Sequence, residues 1–273
     1  CFGQDGTSML VIDAFRNLGA KRVFNKNKFC MVIDHSAPSP NIGVSEAHKK
    51  MRNFAKEHGL NIFDIGCGVC HQVIPESVLV MPGNLVVGAD SHTCTYGALG
   101  VFATGMGSTD VAVALATGKN WFKVPETLRI ILTGKLPKGV FAKDIILYLA
   151  GKLTANGATY EAIEFSGAII DKLDLDGRFT ICNMVVELGA KCGFMPVDSK
   201  TKDWLKERTA KKYTLYSADP GANYARVKEY DLSRLEPAVA KPHSVDNYSP
   251  ITKVKGVKIN QAFIGTCTNG RLS

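Results

Sequence analysis

The sequence predicts an α/β fold with mostly parallel sheets, and three observations indicate it. Apolar runs of strand length recur at residues 29–33, 61–65, 85–87 and 262–264. Helical start and stop signals lie between the first three runs. Polar side chains follow each run, and ligands of open α/β sheets bind at the carboxyl ends of the strands. We therefore expect four distant segments to converge on one cleft.

The first predicted domain, residues 1–124, alternates strands with helices. Thr7 or Ser8 can cap a helix through residue 18, and Ser45 can cap a second helix that ends before Gly59. This rhythm favours a mostly parallel sheet covered by helices.

A stretch of small residues at 97–107 raises the alternative of a nucleotide site. Gly100 and Gly105 have the spacing of a phosphate loop, but Met106 and Gly107 stand where Lys and Ser or Thr are needed. The third glycine of a dinucleotide fingerprint is also missing. We therefore expect these glycines to permit a close backbone approach beside residues 90–92.

A second α/β domain is predicted at 125–240, because Pro125 breaks the preceding helix, and a third begins at 241–273. The elements predicted in the second domain are strands at 128–133 and 161–165 and helices at 144–152 and 182–191. In the last helix Asn183 and Glu187 are four residues apart and share a face.

Composition excludes some classes of protein. No apolar run approaches the roughly 18 residues that cross a bilayer, so a membrane protein is not expected. A formal charge of +8 attracts anionic ligands, but the lysines are scattered, which argues against nucleic acid as a partner. Eight irregularly spaced cysteines without an export signal indicate reduced thiols and a cytoplasmic location. The start, which has no initiator Met, suggests a piece of a longer protein.

Cys67, Cys70 and His71 match the attachment motif of a c-type haem. Haem attachment would require export to an oxidising compartment, for which the sequence has no signal. A zinc site is a second alternative, although no further cysteine pair has finger-like spacing. We favour His71 as a polar active-site residue.

Histidines also stand beside carboxylates, in Asp34-His35 and in Asp90-Ser91-His92. A carboxylate fixes the tautomer of an imidazole and favours its charged form, which suits an acid near neutral pH. The set indicates metal-assisted acid/base chemistry.

Three motifs carry a resemblance to a known family. They are Gly68-Val-Cys-His71-Gln72, Gly88-Ala-Asp90-Ser-His92-Thr-Cys-Thr-Tyr96-Gly, and Gly265-Thr-Cys267-Thr-Asn269-Gly-Arg271. Together they resemble the aconitase superfamily, most closely its 3-isopropylmalate dehydratase large subunits. The resemblance implies three-layer α/β/α domains and a hydro-lyase of leucine biosynthesis that converts 2-isopropylmalate to 3-isopropylmalate by dehydration and rehydration.

The resemblance also implies a 4Fe-4S cluster held by three cysteines, of which Cys267 is the first. The other two are expected beyond Ser273, the last residue of the sequence, so this chain alone is expected to lack the cluster. A small subunit with a swivelling domain is the implied partner, and a small di- or tricarboxylate is the implied substrate.

Individual roles follow from the same resemblance. His35 is the expected proton donor to the leaving hydroxyl, with Asp34 as its partner. The remaining implied assignments are pairs between His71 and Asp90 and between His92 and Glu187, substrate contacts from Gln4 and Ser91, and positions near the cluster for Asn183 and Asn269. His48 and His58 are expected on the exposed side of a helix without a role, and His243 is left unassigned.

Two alternatives remain open. Within the class, the chain could belong to a homoaconitase or another 2-hydroxydiacid dehydratase, because the loop that recognises the substrate side chain is expected on the small subunit. Outside the class, it could be a nucleic-acid-binding relative of aconitase, for which a steep salt dependence of binding would be diagnostic.

Overall fold

The computed structural model describes residues 1–271, which form two compact units. The first unit consists of Cys1–Leu79, Leu85–Thr93 and Thr104–Val124, and the second of Val80–Asn84, Cys94–Ala103 and residues 125–271. Two short segments of the predicted first domain therefore pack with the second unit, and so do residues 241–271. The predicted third domain, whose last residue Ser273 lies outside the described residues, remains a prediction.

The first unit is built on a five-stranded sheet of order β3-β2-β1-β4-β5. Its elements in chain order are β1 (Phe2–Gln4), α1 (Ser8–Asn17), β2 (Cys30–Val32), α2 (Ile42–His58), β3 (Asn61–Phe63), α3 (Cys70–Glu76), β4 (Leu85–Gly88), β5 (Phe102–Gly105) and α4 (Ser108–Thr117). β1 pairs in parallel with β2 and β4, and β2 with β3. The predicted parallel α/β class is confirmed.

This strand order creates a switch point between β1 and β4. The chain adds β2 and β3 on one side of β1, and then returns to add β4 and β5 on the other side. The connections that follow β1 and β4 therefore diverge, which leaves a crevice beyond the carboxyl ends of these two strands. In sheets of this kind the crevice is the usual ligand site.

Helices α1, α2 and α4 bury apolar faces in one core with the sheet. Val11, Ile12 and Phe15 of α1 meet Met51 and Phe54 of α2 in this cluster. Helical spacing explains why these residues are the buried ones, since residues three or four apart share a face.

The second helix begins earlier than predicted. The side chain of Asn41, and not that of Ser45, caps α2 by accepting the N–H of Val44 at 3.0 Å. At the other end Gly59 takes a left-handed conformation with φ of 63°, as its predicted role in ending the helix requires.

The second unit contains a parallel sheet of order β8-β7-β6-β9 and an antiparallel pair β10-β11. Its elements are β6 (Thr127–Thr133), α5 (Ala142–Leu153), β7 (Ala162–Ser166), α6 (Ala168–Lys172), α7 (Leu175–Asn183), β8 (Cys192–Phe194), α8 (Ser199–Lys206), β9 (Arg226–Asp231), β10 (Ala238–Ala240), β11 (Tyr248–Pro250) and α9 (Thr266–Asn269). No helix within residues 1–271 is both long and apolar enough to cross a bilayer.

Two predicted elements of this unit are wrong. The helix predicted at 182–191 lies earlier, because the side chain of Asp174 caps α7 through the N–H of Gly177 at 2.7 Å. A 3₁₀ turn, Met184–Leu188, follows α7 and ends at Gly189. The strand predicted at 262–264 does not form, because an apolar run becomes a strand only beside a pairing neighbour. Instead, Ile264 is 93% exposed.

Candidate active site

Three strands of the first unit deliver polar side chains to one edge of the sheet. Gln4 closes β1 and Asp5 follows it, Asp34 and His35 follow β2, and Asp90 follows β4. Because these strands are parallel neighbours, their carboxyl ends meet at the switch point. The predicted convergence is therefore present for the segments that follow the runs at 29–33 and 85–87.

Asp90 is the centre of this cluster. Its Oδ1 atom contacts His71 Nε2 at 3.1 Å and accepts the backbone N–H of His92 at 2.8 Å. Its Oδ2 atom accepts a hydrogen bond from Gln4 Nε2 at 3.2 Å and lies 3.5 Å from His35 Nε2. Asp90 thus links two histidines from different parts of the chain.

The environment keeps Asp90 ionised. Burial alone would raise the pKa of this carboxyl, since its side chain is only 7% exposed. The hydrogen bond and charge of His71, the N–H of His92 and the charge of His35 outweigh burial and lower the pKa to about 2. A fixed negative charge therefore sits between His71 and His35.

His35 lies between two carboxylates. Its Nδ1 atom is 2.8 Å from Asp34 Oδ1, and its Nε2 atom faces Asp90. The hydrogen bond that His35 donates to Asp34 raises the pKa of His35, burial opposes this increase, and the charges of Asp34, Asp90 and Asp5 add to it. The ring is 39% exposed, so an imidazole with a raised pKa stands at the open side of the cluster.

The carboxylate of Asp34 is itself held in place. Its side chain is 1% exposed, and its Oδ2 atom accepts the backbone N–H of Cys70 at 2.6 Å. This bond ties the segment after β2 to the start of α3, where His71 follows. The predicted contacts of Asp34 with His35 and of His71 with Asp90 are both present in the structure, so the segment after the run at 61–65 also reaches the cluster.

Asp5 was not predicted, yet it organises the backbone of this region. Its Oδ1 atom accepts the N–H of His35 at 2.9 Å, and its Oδ2 atom accepts that of Ser36 at 2.9 Å. His48 Nε2 approaches the same Oδ2 atom at 3.1 Å. Burial would raise the pKa of Asp5, but these hydrogen bonds outweigh it and lower the pKa. Asp5 thus fixes the position of the His35 backbone, from which the ring projects.

The prediction that His48 and His58 are exposed is wrong. His48 is 1% exposed, because it shares the buried stripe of α2 with Met51 at i+3. The side chain of His58 is 8% exposed, and its ring packs on Phe54 at 4.4 Å between centroids. His48 supports Asp5, whereas His58 packs on the rings of Phe15 and Phe54.

A close approach shapes the turn that carries Asp90. A Cβ atom at Gly105 would lie 2.6 Å from the carbonyl oxygen of Asp90 and 3.0 Å from Ser91 Cα. Only glycine permits this spacing, as expected for the glycine-rich stretch. In the same turn Ser91 Oγ contacts His92 Nδ1 at 3.2 Å. His92 lies in the first unit and Glu187 in the second, and their pairing remains a prediction.

Cys267 lies on a short anchored segment of the second unit. Its neighbour Thr268 donates a hydrogen bond to Asn183 Oδ1 at 2.8 Å, and Thr180 Oγ1 donates to the carbonyl oxygen of Thr268 at 2.7 Å. Asn269 accepts a longer contact from Thr180 at 3.3 Å. These bonds hold α9 against the end of α7.

The surroundings of Cys267 fit one ligand of a metal cluster. Asn183 Nδ2 lies 4.0 Å from Cys267 Sγ and can donate to a thiolate, and hydrogen bonds to the sulfurs are typical of cluster sites. Asn183 is completely buried and also donates to Thr95 at 2.8 Å, so its position is fixed. Among residues 1–271, no group of three or more metal-ligating side chains contains Cys267. The contact with Asn183 fits Cys267 to the role of a single cluster ligand.

The expected positions of the other two cluster cysteines, beyond Ser273, are not tested by the structure. Ser273 itself lies outside the described residues, which end at Arg271. Their location therefore stays a prediction.

Comparison with known families identifies the chain. The model of the aconitase family (aconitate hydratase) matches residues 1–256. The chain belongs to the aconitase family.

Individual relatives of this aconitase-family chain are large subunits. It is 50% identical to 3-isopropylmalate dehydratase large subunit 1 of Pyrococcus abyssi, over 99% of the chain and 65% of the relative. It is 51% identical to the protein of the same name from Thermotoga maritima, over 98% and 65%. A probable methanogen homoaconitase large subunit of Methanosarcina mazei is 49% identical, over 98% and 69%. The chain therefore spans about two thirds of the length of these relatives.

Structure comparison matches the chain with the crystal structure of Thermococcus kodakaraensis aconitase X in its holo-form. The TM-score is 0.47 at 14% identity, over 86% of this chain and 57% of the other.

Sequence reasoning missed three members of the cluster in this aconitase-family chain. Asp5 had a detectable signal, since it follows β1 as Asp34 follows β2. His48 could have been found from its spacing to Met51. Cys70 had a signal only in the motif that it shares with Cys67 and His71, and this motif does not indicate the approach of its thiol to Asp90.

Proposed function

We propose that the complete protein is the large subunit of a hydro-lyase that isomerises 2-isopropylmalate to 3-isopropylmalate in leucine biosynthesis. The chemistry is removal of water from a 2-hydroxydiacid followed by its addition at the neighbouring carbon. The observation that carries the proposal is the position of His35 between the carboxylates of Asp34 and Asp90, which raise its pKa. The names of the relatives support the same reaction.

His35 serves as the general acid. Hydroxide is a poor leaving group, so it must receive a proton as its bond to carbon breaks. The bond between His35 Nδ1 and Asp34 fixes the ring and leaves Nε2, which faces Asp90, as the donating atom. The departing hydroxyl takes this proton and leaves as water, and the reverse transfer assists rehydration.

Asp90 and its partners orient the reacting groups. Asp90 keeps a negative charge beside both His35 and His71, and this charge contributes to the raised pKa of His35. Gln4 is 6% exposed and donates to Asp90, so it positions this carboxylate in addition to its proposed contact with substrate. The exposed hydroxyl of Ser91 is proposed to bind a substrate carboxylate, with His92 beside it.

The aconitase family implies a 4Fe-4S cluster in the complete enzyme, and we propose Cys267 as one of its ligands. When bound, the cluster supplies a Lewis-acid iron that polarises the hydroxyl to be lost. The other two ligands and the carbon base are proposed to lie outside residues 1–273, the base on a small subunit with a swivelling domain. The eight irregularly spaced cysteines support a cytoplasmic location.

Turnover of the complete heteromer tests the acid. His35→Asn should retain its iron content and lose roughly 10²- to 10⁴-fold in kcat, the usual contribution of general acid catalysis. His58→Gln is the matched control, because its ring packs on Phe15 and Phe54 and has no part in the proposed reaction. Undiminished turnover in His35→Asn would remove it from the mechanism. Assays with 2-isopropylmalate and homoaconitate in parallel distinguish the two substrate classes.

Iron and sulfide analysis tests the ligand. After anaerobic reconstitution the complete subunit with Cys267→Ser should retain far less cluster than the wild type, while Cys182→Ser should not differ. Cys182 is the control because it is fully buried within the second unit. We expect the 273-residue chain alone to retain no stable cluster. A normal iron count in Cys267→Ser would refute the assignment.

A further inference from the structure

A second group of metal-ligating side chains lies in the first unit, away from Cys267. Donor atoms of Cys70, His71 and Asp90 all lie within 4.8 Å of one another. The three residues are 0%, 1% and 8% exposed. The proposed reaction uses His71 and Asp90 and assigns nothing to the thiol of Cys70.

The spacing of these atoms suits a tetrahedral ion. Zinc binds sulfur at about 2.3 Å and nitrogen or oxygen at about 2.0–2.2 Å, so a tetrahedral site separates nitrogen from oxygen by about 3.3 Å and sulfur from nitrogen by about 3.6 Å. His71 Nε2 and Asp90 Oδ1 are already 3.1 Å apart. An ion can therefore replace the proton that these two atoms share, with a small inward movement of the thiol.

We propose that Cys70, His71 and Asp90 bind one Zn²⁺ ion. Cys70 contributes a thiolate, His71 its Nε2 atom and Asp90 its Oδ1 atom, and the fourth position is open to water. A thiolate with an imidazole selects zinc over the hard ions Mg²⁺ and Ca²⁺, which prefer oxygen. Cys67, the other cysteine of the sequence motif, is exposed and belongs to neither group of ligating side chains in residues 1–271.

A partly exposed side chain lies next to the proposed site. His35 borders the site, with its side chain 39% exposed and its Nε2 atom 3.5 Å from Asp90 Oδ2. Cys70 also lies within 4.8 Å of donor atoms on Asp34 and His35, which form a second group of possible ligands around the same thiol.

Zinc at this position displaces protons. The thiol must lose its proton, and the ion takes the place of the proton between His71 and Asp90, so binding releases protons to solvent. The effect on catalysis rests on the proposed function: zinc would withdraw His71 and Asp90 from acid/base chemistry and inhibit the complete enzyme without removing its cluster.

Cobalt(II) spectroscopy on the 273-residue chain tests the site directly. Co²⁺ should bind with a stoichiometry of one, show a near-ultraviolet thiolate-to-cobalt charge-transfer band, and be displaced by Zn²⁺. Cys70→Ser should abolish the band and weaken zinc binding by roughly 10- to 100-fold or more. Replacing a group that only hydrogen-bonds a metal ligand already lowers the affinity by roughly this factor. Cys67→Ser and Cys267→Ser are the controls and should keep the band.

Three outcomes would overturn the proposal: no thiolate band in the wild type, a band that persists in Cys70→Ser, or one that disappears in Cys67→Ser. Circular dichroism of each variant establishes that it is folded. His71→Ala is a second variant, which should bind Co²⁺ and Zn²⁺ more weakly although its Cys70 thiol is unchanged. In the complete enzyme, zinc inhibition that EDTA reverses at constant iron content is expected. Binding to the chain without inhibition would support the site and refute the assigned role of His71 in catalysis.

Discussion

Replacing Asp90 by Asn tests how much the central carboxylate contributes to the stability of the first unit. Its pKa falls from an ordinary 3.8 to about 2 in the folded chain. Because each tenfold change in proton affinity is worth about 1.4 kcal/mol, the ionised form stabilises the fold by about 2 kcal/mol. The side chain is 7% exposed, so solvent screening removes little of this.

The sign of the pH dependence follows from the lowered pKa. The contribution is fully present above the ordinary pKa of 3.8 and is lost as pH falls through about 2. We therefore expect Asp90→Asn to lower the free energy of unfolding by about 2 kcal/mol near pH 6, well above both pKa values of this carboxyl. The difference in the free energy of unfolding between the variant and the wild type should decrease below about pH 4.

Asp64 provides a matched control. Its pKa is also lowered to about 2, by hydrogen bonds from Arg52 at 2.7 and 2.6 Å, yet its side chain is 45% exposed. Exposed pairs of this kind contribute about 0–1 kcal/mol and are screened by salt. Asp64→Asn should therefore lower the free energy of unfolding by less than Asp90→Asn does. The decrease caused by Asp64→Asn should become smaller between about 0.1 and 0.5 M salt.

The assay is urea denaturation followed by circular dichroism, in buffer with EDTA. Amide hydrogen exchange of β1, β2 and β4 assigns the transition to the first unit. A variant at position 90 within about 0.5 kcal/mol of wild type would refute the reasoning, because that is the scatter of ordinary surface substitutions. Equal salt sensitivity of the two variants would refute it as well.

Two further predictions concern the same cluster. The His35 ring, followed by NMR, should titrate above 6.5, and Asp34→Asn should lower its pKa because the largest cause of the increase is removed; no change would contradict the pairing. Gly105→Ala should cost about 1–3 kcal/mol in urea denaturation, since its Cβ would lie 2.6 Å from the Asp90 carbonyl oxygen. Gly107→Ala meets only a flexible carboxylate at 3.3 Å and should be nearly neutral, so equal costs would count against the close approach.

The class of fold and the pairing of neighbouring groups could be predicted from the amino-acid sequence. Strand-length apolar runs before Asp34 and Asp90 predicted parallel strands that end in polar residues, and this holds for β2 and β4. Asp34 and His35 are adjacent in the chain, so local geometry alone allows their contact. The motif around Cys267 contributed to the prediction of the family, because its residues are neighbours in the chain and can be identified without the fold.

The groups that share the central carboxylate could be identified only in the folded chain. Asp90 contacts Gln4, His35 and His71, and these partners come from three other segments, so no spacing along the chain predicts the order in which their strands are placed. The same holds for Asp5, whose backbone contacts lie about 30 residues away. Cys70 shows the limit most clearly. Its sequence motif pointed to Cys67 as the partner, whereas folding brings its thiol to Asp90, because strand pairing and burial act over distances that local pattern cannot encode.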